Sequence, residues 1–353
     1  MIDAGVPWQG RPTRRGRPVA DPPPLAPDAE TAGRRIEAAR AGRAVALDLA
    51  GLHLTDVPES VAELGELRRL DLSRNRLAVA PDDPPGPLAE LTALTHLDLS
   101  GNSYRQVPPA LRALTALTHL DLAGNDIPVL PPWLGELATL RYLNLRANGF
   151  HRLPPSVGDL AALTHLDLSG NRHVRLPGAV GNLIALTHLR LPGNRRDDLP
   201  DELANLTALT HLDVSYAPLG VLPDWVRAFT WLTYLDISYA ELQAVPDWLG
   251  DLGTLTTLNL AFNRKARLPR TLGNLTALTH LDLSHNDLDA VPDWLANLTA
   301  LTELRLAGNP LGPVPDRLAG RILMTDPEPG ADTWSLRQFE ADRPDWGAVN
   351  RSG

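Results

Sequence analysis

The sequence predicts an α/β solenoid: a horseshoe of about twelve stacked units, with parallel strands on the concave face and short helices on the convex face. Three observations carry this. First, the string LTHLDLSGN or a close variant recurs, and its central leucine falls at Leu47, Leu70, Leu97, Leu120, Leu143, Leu166, Leu189, Leu212, Leu235, Leu258, Leu281 and Leu304. Every interval is 23 residues except the 27 between Leu70 and Leu97. Second, Leu97 and Leu99 alternate with His96 and Asp98, the period of a strand buried on one face. Third, the remainder of each copy opens on proline and spaces its leucines by three, as at Leu111, Leu114 and Leu117.

Each element follows from its residues. The strand leucines of one copy cannot be buried alone, but stacked copies share a continuous core. The outer segment suits a short α or 3₁₀ turn, with proline where a first turn needs no N–H and acids after it (Pro58-Glu59, Pro200-Asp201, Pro246-Asp247). Outer turns are wider than inner strands, so the stack curves, and twelve strands about 4.8 Å apart span an arc of roughly 53 Å. The asparagines at 75, 102, 125, 148, 171, 194, 263, 286 and 309 read as ladders that satisfy turn backbone groups. Leu52, Ala217 and Ala240 depart from that ladder.

The ends read differently. Residues 1–27 are rich in Pro, Arg and Gly and are expected to be disordered. Residues 28–43 are expected to form a capping helix, 44–311 the repeat domain, and 312–353 a C-terminal cap and tail. An outer helix is expected from Pro315 to Leu323 and a short one over 332–341. Trp334, Phe339 and Trp346 either seal the last repeat or grip a partner. The four extra residues between Leu70 and Leu97 fall in VAPDDPPGP, a bulging loop.

A 23-residue LxxLxLxxN period resembles the intracellular leucine-rich repeats of Ras-suppressor-like, Roco and bacterial scaffolds. The resemblance covers about residues 44–311 and implies association with a signalling partner such as a small GTPase or a kinase.

Composition narrows the chemistry. The 353 residues hold no cysteine and a single lysine, Lys265, with 42 acidic against 33 basic side chains. Thiol nucleophiles, cysteine zinc sites and a phosphate-cradling Gly-Lys loop are therefore missing, and the ubiquitin-ligase type of bacterial leucine-rich repeat effector lacks its cysteine. Net acidity argues against nucleic acid. The N-terminus has no secretory apolar stretch, and no 18-residue apolar segment exists to span a membrane. The expected setting is cytoplasmic, and arginine with Ala, Gly and Pro enrichment points to a bacterial coding sequence. No cofactor or metal is expected, and the oligomeric state stays open.

Residues alternating with the strand leucines face the hollow. The column before the central Leu holds six histidines, the column after it eight aspartates. This stripe reads as a solvated ladder, a pH-sensitive binding face, or a metal site. A His165–Asp167–Ser169 set is formally present, but it lies on an open face without a pocket. The candidate partner site is aromatic: Tyr216, Tyr239, Phe262 and His285 at corresponding positions, joined by Tyr234, His211, Asp213 and Asp236. Aromatics among polar neighbours have the composition of binding hot spots; the competing reading is that Tyr216 and Tyr239 fill space left by the missing asparagines. Trp133, Trp225, Trp248 and Trp294 are expected to pack on the outer side. The favoured function is a non-enzymatic scaffold holding a protein or peptide on its concave face; the alternatives are a hydrolase or metal-dependent activity using inner-face His and Asp, or a structural surface protein.

Overall fold

The computed structural model describes residues 29–80, 84, 86–171, 174–264, 266–312 and 322–323. One parallel sheet runs through them, its strands ordered as in the sequence. Each repeat contributes a three-residue strand, from Ala46–Asp48 through His96–Asp98 to Glu303–Arg305. Register is strict: Leu97 pairs with Leu120, His96 with His119 and Asp98 with Asp121. A 23-residue step therefore returns every side chain to one column.

Outer segments are 3₁₀ turns, such as Glu59–Glu63, Pro109–Ala113 and Asp247–Asp251. Only about five residues separate the proline from the closing leucine, too few for successive i→i+4 bonds, so the tighter i→i+3 bond wins. In several copies the proline precedes the turn instead of standing inside it. Pro58 caps the first one, accepting from the Val61 N–H at 3.0 Å, and the Leu64 N–H closes on the Val61 carbonyl at 3.0 Å. Adjacent turns touch: a Cβ at Gly158 would collide with the Ala179 carbonyl of the next repeat.

The core is a spine of leucines. Leu97, Leu99, Leu114 and Leu117 are fully buried, and nearly all their counterparts down the array are buried. The turn asparagines tie its layers together. Asn75 Oδ1 accepts from the Leu52 and Leu54 amides at 2.9 and 3.0 Å, while its Nδ2 donates to the Leu49 and Leu72 carbonyls, both at 2.9 Å. One side chain thus satisfies four backbone groups in two repeats.

At the N-terminal end an α-helix, Ala29–Gly42, buries Ala32, Ile36 and Ala39 in the same core. The Ala44 amide bonds to the Ala39 carbonyl at 2.9 Å and Arg35 reaches the Asp48 carbonyl at 2.9 Å, fixing the helix to the first repeat. At the other end Ile322–Leu323 form a further parallel strand beside Leu304–Arg305. That corrects the outer helix expected to run to Leu323: its last two residues extend the sheet. The rest of that segment, residues 1–27 and the Trp334, Phe339 and Trp346 segment lie outside the described residues. No helix among the described residues is long and apolar enough to cross a membrane.

Candidate functional site

Strict register turns the concave face into columns. In the column before the central leucine, His96, His119, Tyr142, His165, His188, His211 and Tyr234 form a run of ring contacts. The imidazoles of His165, His188 and His211 stack at 4.1 and 4.0 Å. The preceding threonine sets each ring. Thr118 Oγ1 donates to the Thr95 carbonyl at 3.0 Å and lies 2.8 Å from His119 Nδ1. With its one proton committed to the carbonyl, the hydroxyl accepts from Nδ1–H, which fixes the tautomer. Thr95, Thr164, Thr187, Thr210 and Thr279 repeat the arrangement. Burial, then Arg69, lower His96 to about 4, and burial, then His96 and His165, lower His119 to about 4. Burial, then His211 and His165, lower His188 to about 3. These rings are uncharged near neutral pH.

The aspartate column serves the fold. Asp98, Asp213 and Asp236 accept from the amides of Ser100, Ser215 and Ser238 at 2.8, 3.0 and 2.9 Å, closing Asx turns. Carboxylates one strand spacing apart repel, and the column is interrupted where a donor relieves them. Asn144 donates to Asp121 at 3.1 Å and Asn259 to Asp236 at 2.9 Å. Arg190 bridges Asp167 and Asp213 at 3.2 and 3.1 Å. Where no donor intervenes, burial and then Asp98 push the Asp71 carboxyl up.

The third column lies at the turn leaving the strand, four residues after the central leucine. All twelve of its positions adopt positive φ, between 50° and 81°. Six are glycine, the residue that tolerates this region without strain. Repeats eight to eleven instead place Tyr216, Tyr239, Phe262 and His285 there, at φ 53° to 58°. The rings form one continuous stack, with centroids 4.5, 4.1 and 4.1 Å apart. His285 closes it by lying across Gly308, where any Cβ would collide with the imidazole. Tyr216 is 53% exposed and Tyr239 38%. Burial, then Asp282, push the Tyr239 hydroxyl up, so it remains a donor.

The structure therefore divides the candidate cluster. Tyr216, Tyr239, Phe262 and His285 come together in the ladder, while His211 and Tyr234 belong to the inner-face column, 5.8 Å apart. Asp213 and Asp236 are 2% and 1% exposed and face their own strand ends. The rings do not fill the places of missing asparagines, since Ala217 and Ala240 are themselves buried and the tyrosines project outward. His165, Asp167 and Ser169 make no relay, because the buried Ser169 hydroxyl has no hydrogen-bond partner, and Asp167 is held by Arg190 and the Ser169 amide. Among the described residues no three His, Asp or Glu converge where a metal ion could sit. Trp225 and Trp294 are buried on the outer side, and Trp133 and Trp248 are partly buried against the core. Sequence reasoning passed over Trp231, which is 66% exposed at the opposite edge of the ninth repeat, where every other copy from the third onward holds alanine or threonine.

Comparison with known proteins agrees with this geometry. A leucine-rich repeat region pattern matches residues 133–221, and a second leucine rich repeat pattern matches residues 65–127 and 267–311. An internalin, InlF of Listeria monocytogenes, superposes with a TM-score of 0.67 at 22% identity, covering 85% of this chain and 96% of that one. A TDR receptor gives 0.62 at 30% identity, over 78% of this chain and 51% of that one. The Arabidopsis receptor kinase HAESA, solved with the peptide hormone IDA and the co-receptor SERK1, gives 0.62 at 26%, over 77% and 47%. No curated protein matches. With its 23-residue period, in-register parallel strands and asparagine-tied turns, and with both patterns falling on those repeats, this chain belongs to the leucine-rich repeat proteins.

Proposed function

We propose that this leucine-rich repeat array is a non-enzymatic scaffold that holds a protein or peptide against its concave face, anchored at the ladder of Tyr216, Tyr239, Phe262 and His285. One observation carries the reading. Four consecutive repeats put large aromatics at a backbone position where six others use glycine. A left-handed residue other than glycine costs roughly 1 kcal/mol, and stacking of these partly exposed rings does little more than offset that. Such rings serve stability poorly and recognition well. Leucine-rich repeats are in general protein-interaction folds, and HAESA, similar in fold, was solved with a peptide hormone bound. The resemblance to Ras-suppressor-like and Roco scaffolds adds a cytoplasmic setting and a signalling partner, a small GTPase or a kinase.

Glycine substitution tests this cleanly, because it restores the residue the backbone prefers. A Tyr216→Gly, Tyr239→Gly, Phe262→Gly variant should keep its circular dichroism spectrum and lose the proteins that co-purify with the wild type from its own cells. An unchanged set of co-purifying proteins would refute the ladder as anchor.

A further inference from the structure

Charge is unevenly distributed along this acidic chain. Residues 137–196, spanning repeats five to seven, hold eight arginines against two aspartates, Asp159 and Asp167. The rest of the chain holds 25 basic against 40 acidic side chains. Neither aspartate neutralises the surface of the island. Asp159 ends an outer 3₁₀ turn, and Asp167 is buried against Arg190. Arg141, Arg152, Arg175 and Arg195 are exposed and Arg146 is partly so. None of the five has a carboxylate within ion-pair distance among the described residues. The island ends at Asp197 and Asp198.

Arg152 and Arg175 sharpen the point. They pair directly across a parallel bridge between repeats five and six, so two like charges stand one strand spacing apart, an arrangement that destabilises a sheet. Arg195 follows two residues after Gly193, the seventh repeat's member of the turn column, where an added Cβ would meet nothing within 4 Å. The next member of that column is Tyr216. Arg152, Arg175 and Arg195 thus lie on the turns leaving the strands of repeats five to seven, as the ladder does in repeats eight to eleven; the Arg152–Arg175 column runs five residues beyond the ladder's and continues as Asp198 and Val221.

We propose that repeats five to eleven form one two-part docking surface for an extended acidic polypeptide, its carboxylates on Arg152, Arg175 and Arg195 and an aromatic or apolar side chain on the ladder. The inference rests on the ladder being an anchor and adds the partner's chemistry. Guanidinium forks match carboxylates bidentately. Tyr239 and Phe262 are each covered on both faces by ladder neighbours at 4.1 to 4.5 Å and so turn their positive edges outward. Edges receive backbone carbonyls and the faces of partner aromatics, whereas nucleobases need open ring faces to stack on. Along the array, two repeats separate Arg175 from Tyr216 and four separate Arg152 from Tyr239, about 10 and 19 Å, which an extended chain covers in roughly three and six residues. The acidic group and the apolar anchor should therefore lie three to six residues apart.

The test uses the full chain and fluorescein-labelled peptides read by anisotropy. One peptide carries four glutamates, a three-residue Gly-Ser spacer and two phenylalanines; a second has the reverse order. In the controls lysine replaces glutamate or serine replaces phenylalanine. One order of the acidic aromatic peptide should bind saturably, weaken about tenfold in an Arg152→Glu, Arg175→Glu variant, and weaken again at high salt. The lysine peptide should not bind. Thermal melts confirm that the variant is folded, both sites being exposed. Equal binding of the lysine peptide, no saturable binding in either order, or equal competition by a dT12 oligonucleotide would overturn the proposal. If Arg reversal has no effect while Tyr239→Gly, Phe262→Gly abolishes binding, the acidic partner is wrong and the ladder stands. If ring removal has no effect on any peptide, the anchor itself fails.

Discussion

Tyr239 shows how opposing effects at one residue can be weighed. Its φ of 53° is unfavourable for a side chain, by roughly 1 kcal/mol. Stacking on Tyr216 and Phe262 returns a similar amount. Tyr239→Gly should therefore change unfolding free energy by less than about 1 kcal/mol, since relieved strain offsets lost stacking and the added freedom of glycine. A loss of several kcal/mol in a urea titration would make the ring a packing element instead of an exposed anchor. Asn171 is the opposite case. It is buried, donates to the Leu145 and Leu168 carbonyls at 2.9 and 3.0 Å, and accepts from the Asn148 amide at 3.0 Å. Asn171→Ala strands those groups in the core and should cost about 2 to 3 kcal/mol. Natural alanines at 217 and 240 show that the array survives the loss at two places.

At the scale of an element, the histidine column makes stability depend on pH. His96, His119 and His188 titrate well below the ordinary imidazole value of 6.5 when folded. Between that value and about 4 the unfolded chain takes up protons that the native column refuses. Stability is then complete above 6.5 and falls as pH drops through this window. Burial raises the Asp71 and Asp282 carboxyls, which works in the opposite sense. Melting temperature should decline steadily from pH 7 to about pH 5, and His188→Asn should flatten the slope; a pH-independent melt of the wild type would contradict the buried neutral column. The column itself was legible from the sequence, because an invariant 23-residue step fixes which residues share a face. Its threonine-set tautomer and low affinity for protons were not, since they depend on carbonyls of the preceding repeat. The same limit separated Tyr234 and His211 from the ladder. Alternation places both columns on the exposed side, and only the positive φ after the strand shows that Tyr216 projects elsewhere. Recurrent glycine at that position was the available signal. Asp213 and Asp236 read as exposed because alternation is blind to a carboxylate folding back on its own serine.

At the scale of the whole molecule, contacts run between neighbouring repeats, as the in-register pairing and the two-repeat reach of each asparagine show. Such an array has no long-range closure, so its stability is close to a sum of repeat and interface contributions. Register matters more than length. Removing residues 94–139, two full periods, would join Ala93 to Leu140 and recreate the local pattern LTALRYLNL, which matches the intact copies. That deletion should leave a cooperative, folded solenoid with a lower melting temperature. Removing eleven residues from the same region should not, because strand leucines would then meet outer-turn positions. The longer deletion also spares residues 140–312, which contain most of the arginine island and the entire aromatic ladder. If recognition resides there, the shortened array should bind the acidic aromatic peptide with unchanged affinity. A folded shortened array that no longer binds would move the partner site into the third and fourth repeats.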